Sequence, residues 1–179
     1  MKVPERVTVA LDKETFELFK KMKDDLGMSQ SELMREALKF FSKHKSLFEF
    51  VEDEKIYTHA EMLSAGEHVI LDIDHWLLFL KFIELHPDKE KFWELHREVC
   101  RAHGEQFKHK FHNIEAPLKR LEACNFFKLS KTSEKEFTLV LGSDAPKKFL
   151  KTELEEIFEG MGFKVEIKEG LLKLRISVV

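Results

Sequence analysis

Apolar and polar residues alternate between residues 6 and 11, which is typical of a short β-strand with one buried face. Val7, Val9 and Leu11 form the apolar side of this pattern. No second strand is predicted before about residue 126, so the backbone N–H and C=O groups of this strand have no partner nearby in the sequence. We therefore expect it to pair with the same strand of a second chain.

Two helices are predicted after this strand. Asp12 is placed as the N-cap of the first helix, and Gly27 follows its last turn as a left-handed C-cap. Ser29 and Glu32 have the spacing of a capping box and predict the start of the second helix. The apolar face of that helix comprises Leu33, Met34, Ala37, Leu38 and Phe41. One strand and two short helices cannot bury this much apolar surface alone, which favours an intertwined homodimer.

The strand, the helix after Asp12 and the run 26–38 with its Gly-Met-Ser-Gln-Ser-Glu sequence resemble a ribbon-helix-helix DNA-binding domain of the MetJ/Arc/CopG class. The resemblance implies a homodimer whose two-stranded antiparallel ribbon enters the major groove of double-stranded DNA. It also implies that the outward residues Arg6, Thr8 and Ala10 read base edges. Arg6 can pair with guanine through two hydrogen bonds, and Thr8 can donate, accept or contact a thymine methyl, whereas Ala10 offers only a methyl contact.

The start of the second helix is a candidate phosphate site. Ser29, Gln30 and Ser31 occupy this helix N-terminus. Free backbone N–H groups and the positive end of the helix dipole both favour an anion there. A dimerisation module without DNA binding remains the alternative interpretation of this region.

A helix from Asp88 onward carries a candidate metal or ligand site. At 100° per residue, its apolar stripe includes His96, Cys100 and His103, one turn apart. Two imidazoles and a thiolate could bind a transition metal such as zinc, nickel or copper, and the same face could hold a haem or an organic ligand. A buried Cys and a His bonded to the backbone would be equally at home on such a face. The helix before it, capped by Asp72, is apolar on most sides and is therefore expected to be central.

The last third of the chain predicts two strand pairs separated by a helix. Strands are expected at 126–129 and 137–141, a helix from Pro146 to about Gly160, and a hairpin around Glu169–Gly170. The order and spacing of residues 95–176 are similar to those of 4-vinyl-reductase type small-molecule-binding domains, although no functional residue can be transferred from that family. We thus predict an α+β fold: a ribbon-helix-helix domain at residues 1–45, and a domain at 46–179 comprising a helical segment and a ββαββ unit.

Composition limits the function classes. Apolar residues make up 43% of the chain, enough for a packed core, and no run of about 18 apolar residues predicts a membrane span. Two cysteines and no apolar leader favour a cytoplasmic protein. Residues 1–45 carry ten Lys/Arg against eight Asp/Glu, whereas the other 134 carry twenty against twenty-five. A mildly basic head on an acidic body indicates two separate roles.

These features together predict a homodimeric, sequence-specific DNA-binding transcription regulator, acting as a repressor, whose second domain senses an unidentified small molecule or metal. We expect no enzymatic activity, because no nucleophile–base motif, Gly-rich phosphate loop or carboxylate signature is present. An antitoxin-like or other protein-interaction module is the main alternative. An enzyme tethered to DNA is a second.

Overall fold

The computed structural model describes residues 5–66 and 68–179, and it divides the chain into two compact units, Met1–Asp53 and Glu54–Val179. The first unit contains α1 (Lys13–Leu26) and α2 (Gln30–Phe50). The second contains nearly all of α3 (Asp53–Ser64), then α4 (Ile73–Leu85), α5 (Lys89–Lys110), α6 (Glu115–Ala123), β1 (Lys128–Ser133), β2 (Glu136–Val140), α7 (Lys147–Gly160), β3 (Val165–Gly170) and β4 (Lys173–Val178). The predicted α+β class is confirmed.

The helix signals of the first unit are confirmed in detail. The Asp12 carboxylate accepts a hydrogen bond from the Thr15 backbone N–H at 2.8 Å. Gly27 ends α1 with φ 63°, a conformation that glycine adopts without a steric penalty. The Ser29 hydroxyl accepts from the Glu32 N–H at 3.3 Å, as a capping residue does.

Two expectations about the first unit are corrected. Residues 6–11 form no strand in the isolated chain, because a strand exists only through hydrogen bonds to a neighbour and none is present here. The division expected after residue 45 falls inside α2, which continues to Phe50. The structure divides after Asp53, within the charged stretch where the apolar pattern of α2 ends.

A four-stranded antiparallel sheet forms one layer of the second unit, in the order β1-β2-β4-β3. Phe137 on β2 and Ile167 on β3 both lie opposite Ile176 on β4, and Leu139 lies opposite Leu174. These residues are buried, while those that alternate with them are exposed or half-buried. One face of the sheet is therefore packed and the other faces solvent, as is common for antiparallel sheets.

The core of the second unit lies between the packed sheet face and the helices α6 and α7. Leu150, Leu154 and Phe158 on α7 and Leu118 on α6 are fully buried within it. On α5 and α7, Gly104 and Gly160 bring the two helices into backbone contact, since a Cβ at Gly104 would lie 3.1 Å from the Ile157 carbonyl oxygen. This close approach fixes α5, which carries the candidate His/Cys residues, against α7.

The position of α4 is the largest departure from the sequence expectation. It was expected to be central, yet Leu80 is its only buried residue, and Ile73, Leu78, Phe79, Phe82 and Leu85 are exposed. The first strand also begins later than predicted, at Lys128 rather than Phe126, because Phe126 packs edge-on against Trp76 at 5.0 Å between ring centroids. No helix among the described residues is long and apolar enough to span a membrane.

Candidate nucleic-acid interface

The proposed base-reading residues lie in the extended segment that precedes α1. Arg6, Thr8 and Ala10 are all exposed. The alternating residues Val7 and Val9 are exposed as well, at 84% and 56%, so in a single chain the segment leaves both of its faces uncovered. An apolar row on one face and a polar row on the other would be separated by pairing with a second strand.

The proposed phosphate site lies at the first turn of α2. Ser29, Gln30 and Ser31 are exposed, and the Ser29 hydroxyl occupies the Glu32 N–H. The N–H groups of Gln30 and Ser31 precede the first intrahelical hydrogen bond of α2 and have no acceptor within the helix. The structure thus places two donors at a helix N-terminus facing outward, an arrangement suited to a phosphate oxygen.

Apolar surface in the first unit is almost entirely uncovered. Leu33 is the only buried residue among the described residues of α1 and α2, although both helices are amphipathic. The large apolar side chains left exposed include Phe16, Leu18, Met22, Leu26, Leu38, Phe40 and Phe41. Because apolar burial is the main favourable term in folding, this unit needs a partner to be stable.

Comparison with known proteins identifies the first unit. Residues 5–42 match a ribbon-helix-helix family. Its description is "Ribbon-helix-helix protein, copG family". The match supports the resemblance drawn from the strand and cap pattern, and it indicates DNA binding and transcription regulation by a non-enzymatic class of protein.

No curated protein and no solved structure matches the chain. The similarity of residues 95–176 to 4-vinyl-reductase type domains is accordingly not supported.

In the second unit, the structure brings His96 and Cys100 together. The His96 ring stacks on Phe149 with 4.0 Å between centroids, and its Nε2–H donates to the Phe149 carbonyl oxygen at 3.1 Å. The Cys100 Sγ lies 3.6 Å from His96 Nδ1. Burial lowers the pKa of His96 and raises the pKa of the Cys100 thiol to about 12, so both groups are held in their neutral forms.

His103 lies farther along α5 and is half-buried beside Phe107, with 6.2 Å between the ring centroids. Within residues 5–66 and 68–179, no three His, Cys, Asp or Glu residues are grouped so that they could hold a metal ion. The His96 Nε2–H is used by a backbone carbonyl, and the Cys100 thiol is neutral. These two residues therefore have the contacts of core residues.

Sequence reasoning missed Glu153, the buried carboxyl of the second unit. It lies on the apolar face of α7, one turn from Leu150 and from Ile157, and its Oε2 has no hydrogen-bond partner among the described residues. Burial raises its pKa to about 7. The signal was present in the sequence, because positions 150, 153, 154 and 157 share one helical face.

Two cavities lie on the second unit. The first, of about 490 Å³, is apolar and lies between the C-terminal part of α4 and the start of α5, where Phe82, Ile83 and Phe92 are among its lining residues. The second, of about 440 Å³, is lined mainly by polar side chains of α3 and α6, including Thr58, Glu61, Lys119 and Arg120. In the latter, Glu61 pairs with Lys110 and with Arg120, and these hydrogen bonds lower its pKa.

Proposed function

We propose that this protein is a homodimeric, sequence-specific DNA-binding transcription regulator that acts as a repressor. The observation that carries the proposal is the family match of residues 5–42 over a segment that, in one chain, is exposed and unpaired. An antiparallel ribbon made from two such segments would hydrogen-bond both backbones. The same association would cover the apolar stripes of α1 and α2.

In the proposed complex, the two copies of Arg6, Thr8 and Ala10 face the major groove. The alternation of the segment supports this assignment, since Val7 and Val9 would face the helices while the residues between them face outward. Arg6 supplies the strongest discrimination, because a bidentate contact to guanine is worth about 1–3 kcal/mol against a wrong base. Ala10 adds only shape and methyl contact.

The first turn of α2 would hold the DNA backbone. The free N–H groups of Gln30 and Ser31 and the helix dipole suit a phosphate oxygen, and the cap made by Ser29 orders this turn before DNA arrives. Phosphate contacts of this kind set the position of the ribbon without reading sequence. They also make binding sensitive to salt.

For the second unit we propose a regulatory role, in which a small molecule changes DNA binding by preferring one state of the dimer. The polar cavity next to Arg120 supports this role, because a few convergent polar groups in a pocket of this size are typical of small-molecule sites. A panel of polar metabolites that changes neither the melting temperature of the protein nor its DNA binding would contradict the sensory role. Lys119→Gln, at the rim of the cavity, should weaken the response to an active compound.

The experiment that tests the main proposal is selection from a pool of random double-stranded DNA by the full-length chain. We expect a short symmetric site to be enriched, with affinity that falls steeply as salt rises. Random sequences recovered after several rounds would contradict the proposal. Recovery of one tightly bound protein partner, without DNA selection, would instead support the antitoxin-like alternative.

A further inference from the structure

A continuous apolar surface runs along the outer side of α4 and the segment before it. We call it the α4 face; its large apolar residues are Val69, Ile70, Leu71, Ile73, Leu78, Phe79, Phe82 and Leu85, all between 47% and 88% exposed. The same helix turns Leu80 inward, with Trp76, Leu77 and Ile83 half-buried. The helix is therefore apolar on both sides, although only one side is covered within the chain. A helix that is apolar all round belongs in an interior.

The size of the α4 face is that of a stable protein interface. If each of the eight side chains exposes on the order of 100 Å², together they offer roughly 800 Å², the amount that each partner contributes to an interface of standard size. Isolated apolar side chains on a surface are ordinary, but a continuous patch this large marks an interaction site. α4 has only 13 residues, about 20 Å of helix, which is too short to span a bilayer.

The arrangement of this face indicates a second copy of the same chain as its occupant. The apolar cavity of about 490 Å³ lies at the C-terminal end of α4, beside Phe82 and Ile83. The apolar segment Val69–Leu71 lies at the other end of the helix and is itself exposed, which is unusual for a connecting segment. In a two-fold contact between antiparallel α4 helices, each copy would place this segment against the cavity of the other, so one operation fills both cavities and covers both segments.

The charges on α4 permit this pairing. Antiparallel packing brings the N-terminal end of one α4, with Asp72 and Asp74, towards Glu84 of the other. The Glu84 carboxylate is already paired with Lys89 and Lys148, each at 3.2 Å. The contact would therefore not leave Glu84 as an uncompensated negative charge opposite another.

We propose that the α4 face is a self-association surface through which the second units of two chains pair, in addition to any contact made by the ribbon. This contact needs no DNA and does not depend on the DNA-binding proposal. Where the ribbon also dimerises, the second contact either closes the same dimer or joins dimers into a larger assembly.

The test is crosslinking of the full-length Leu78→Cys variant with a short bis-maleimide. Leu78 lies near the middle of α4, where a residue in an antiparallel pair meets its own counterpart. We expect efficient covalent dimer formation, far above that of the wild-type chain, whose Cys100 is buried and whose Cys124 is half-buried. Leu171→Cys is the matched control, because Leu171 is an equally exposed leucine in the turn between β3 and β4.

A second substitution makes the result specific. Adding Phe82→Glu to Leu78→Cys should abolish the crosslink, and because the Phe82 side chain is two-thirds exposed, the fold should be kept. Site selection on DNA by the Phe82→Glu chain is measured in parallel, which separates failure of this contact from failure of DNA binding. Crosslinking of Leu78→Cys no greater than that of Leu171→Cys would overturn the proposal, as would a co-purified lipid, small molecule or other protein that covers the face instead.

Discussion

Glu153 places a carboxyl group in the interior of the second unit without a hydrogen-bond partner for its Oε2. Its nearest titratable neighbours include Cys100 on α5 and Cys124 at the end of α6, and the negative charge of Glu153 helps to raise the pKa of each thiol. Neither thiol offers the carboxylate a compensating positive charge. The ionised form of Glu153 is therefore costly, and its pKa rises to about 7 from an ordinary value of 4.5.

We predict that Glu153→Gln stabilises the protein above neutral pH. Below pH 4.5 the carboxyl is protonated in both the folded and the unfolded chain, so it has no effect on the pH dependence. Between pH 4.5 and about 7 only the unfolded chain releases its proton, so stability falls as the pH rises. At pH 8 the variant should exceed the wild type by up to roughly 3 kcal/mol in the free energy of unfolding.

Urea denaturation at pH 5 and pH 8 measures this difference. Glu159→Gln, an exposed position on the same helix, is the control and should leave the pH profile unchanged. A Glu153→Gln profile parallel to that of the wild type would show that the carboxylate has a partner or access to water.

At the scale of elements, the packing of α5 on α7 depends on Gly104 and Gly160. Each glycine Cα lies where the other helix would meet a side chain, and the nearest atoms belong to the backbone, which cannot rotate away. This crossing also positions His96 so that its ring stacks on Phe149. The His/Cys pair is thus a consequence of a close helix contact and contributes to the core.

We predict that Gly104→Val destabilises the second unit by about 1–3 kcal/mol, the usual cost of overpacking. The gain in helix propensity on replacing glycine offsets only a few tenths of a kcal/mol of this. Ala102→Val, on an exposed position of α5, is the matched control and should change stability little. Thermal unfolding monitored by circular dichroism compares the two; equal melting temperatures would mean that the helices can separate without cost.

Local signals in the sequence predicted the elements where one chain suffices. Asp12, Gly27 and Ser29 act through hydrogen bonds within a few residues, so their roles were readable directly. The inward face of α7 followed from its period, although the position of Glu153 on that face was overlooked. The state of residues 6–11 and the exposure of α4 could not be predicted in this way, because each depends on a surface outside the single chain. The His96, Cys100 and His103 stripe shows the remaining gap: helical spacing placed all three on one face, but only the fold determines which side chains meet.

At the scale of the whole molecule, two separate surfaces call for a second chain: the first unit, with its unpaired extended segment, and the α4 face. The ribbon hypothesis makes opposite demands on adjacent residues. Val9 would face the helices of the dimer, whereas Thr8 would face DNA, since successive side chains of a strand point to opposite sides.

We predict that Val9→Asp prevents dimerisation of the first unit, because it would bury a carboxylate in the apolar side of the ribbon. Thr8→Asp should leave dimerisation intact while it weakens DNA binding, because its charge would face the phosphates. Sedimentation equilibrium measures both variants, in a Phe82→Glu background so that the α4 face does not hold the chains together. The same mass for the two variants would contradict the assigned faces.

The measurement that most directly tests the account is the binding of wild type and Arg6→Ala to every single-base variant of the selected DNA site. If the ribbon reads bases, Arg6→Ala loses about 1–3 kcal/mol at one position in each half-site and becomes tolerant of any base there. Arg175→Ala, which removes the same charge from the exposed face of the sheet, should leave the profile unchanged. A wild-type protein with no base preference, or an Arg6→Ala loss equal at all positions, would contradict sequence reading by the ribbon.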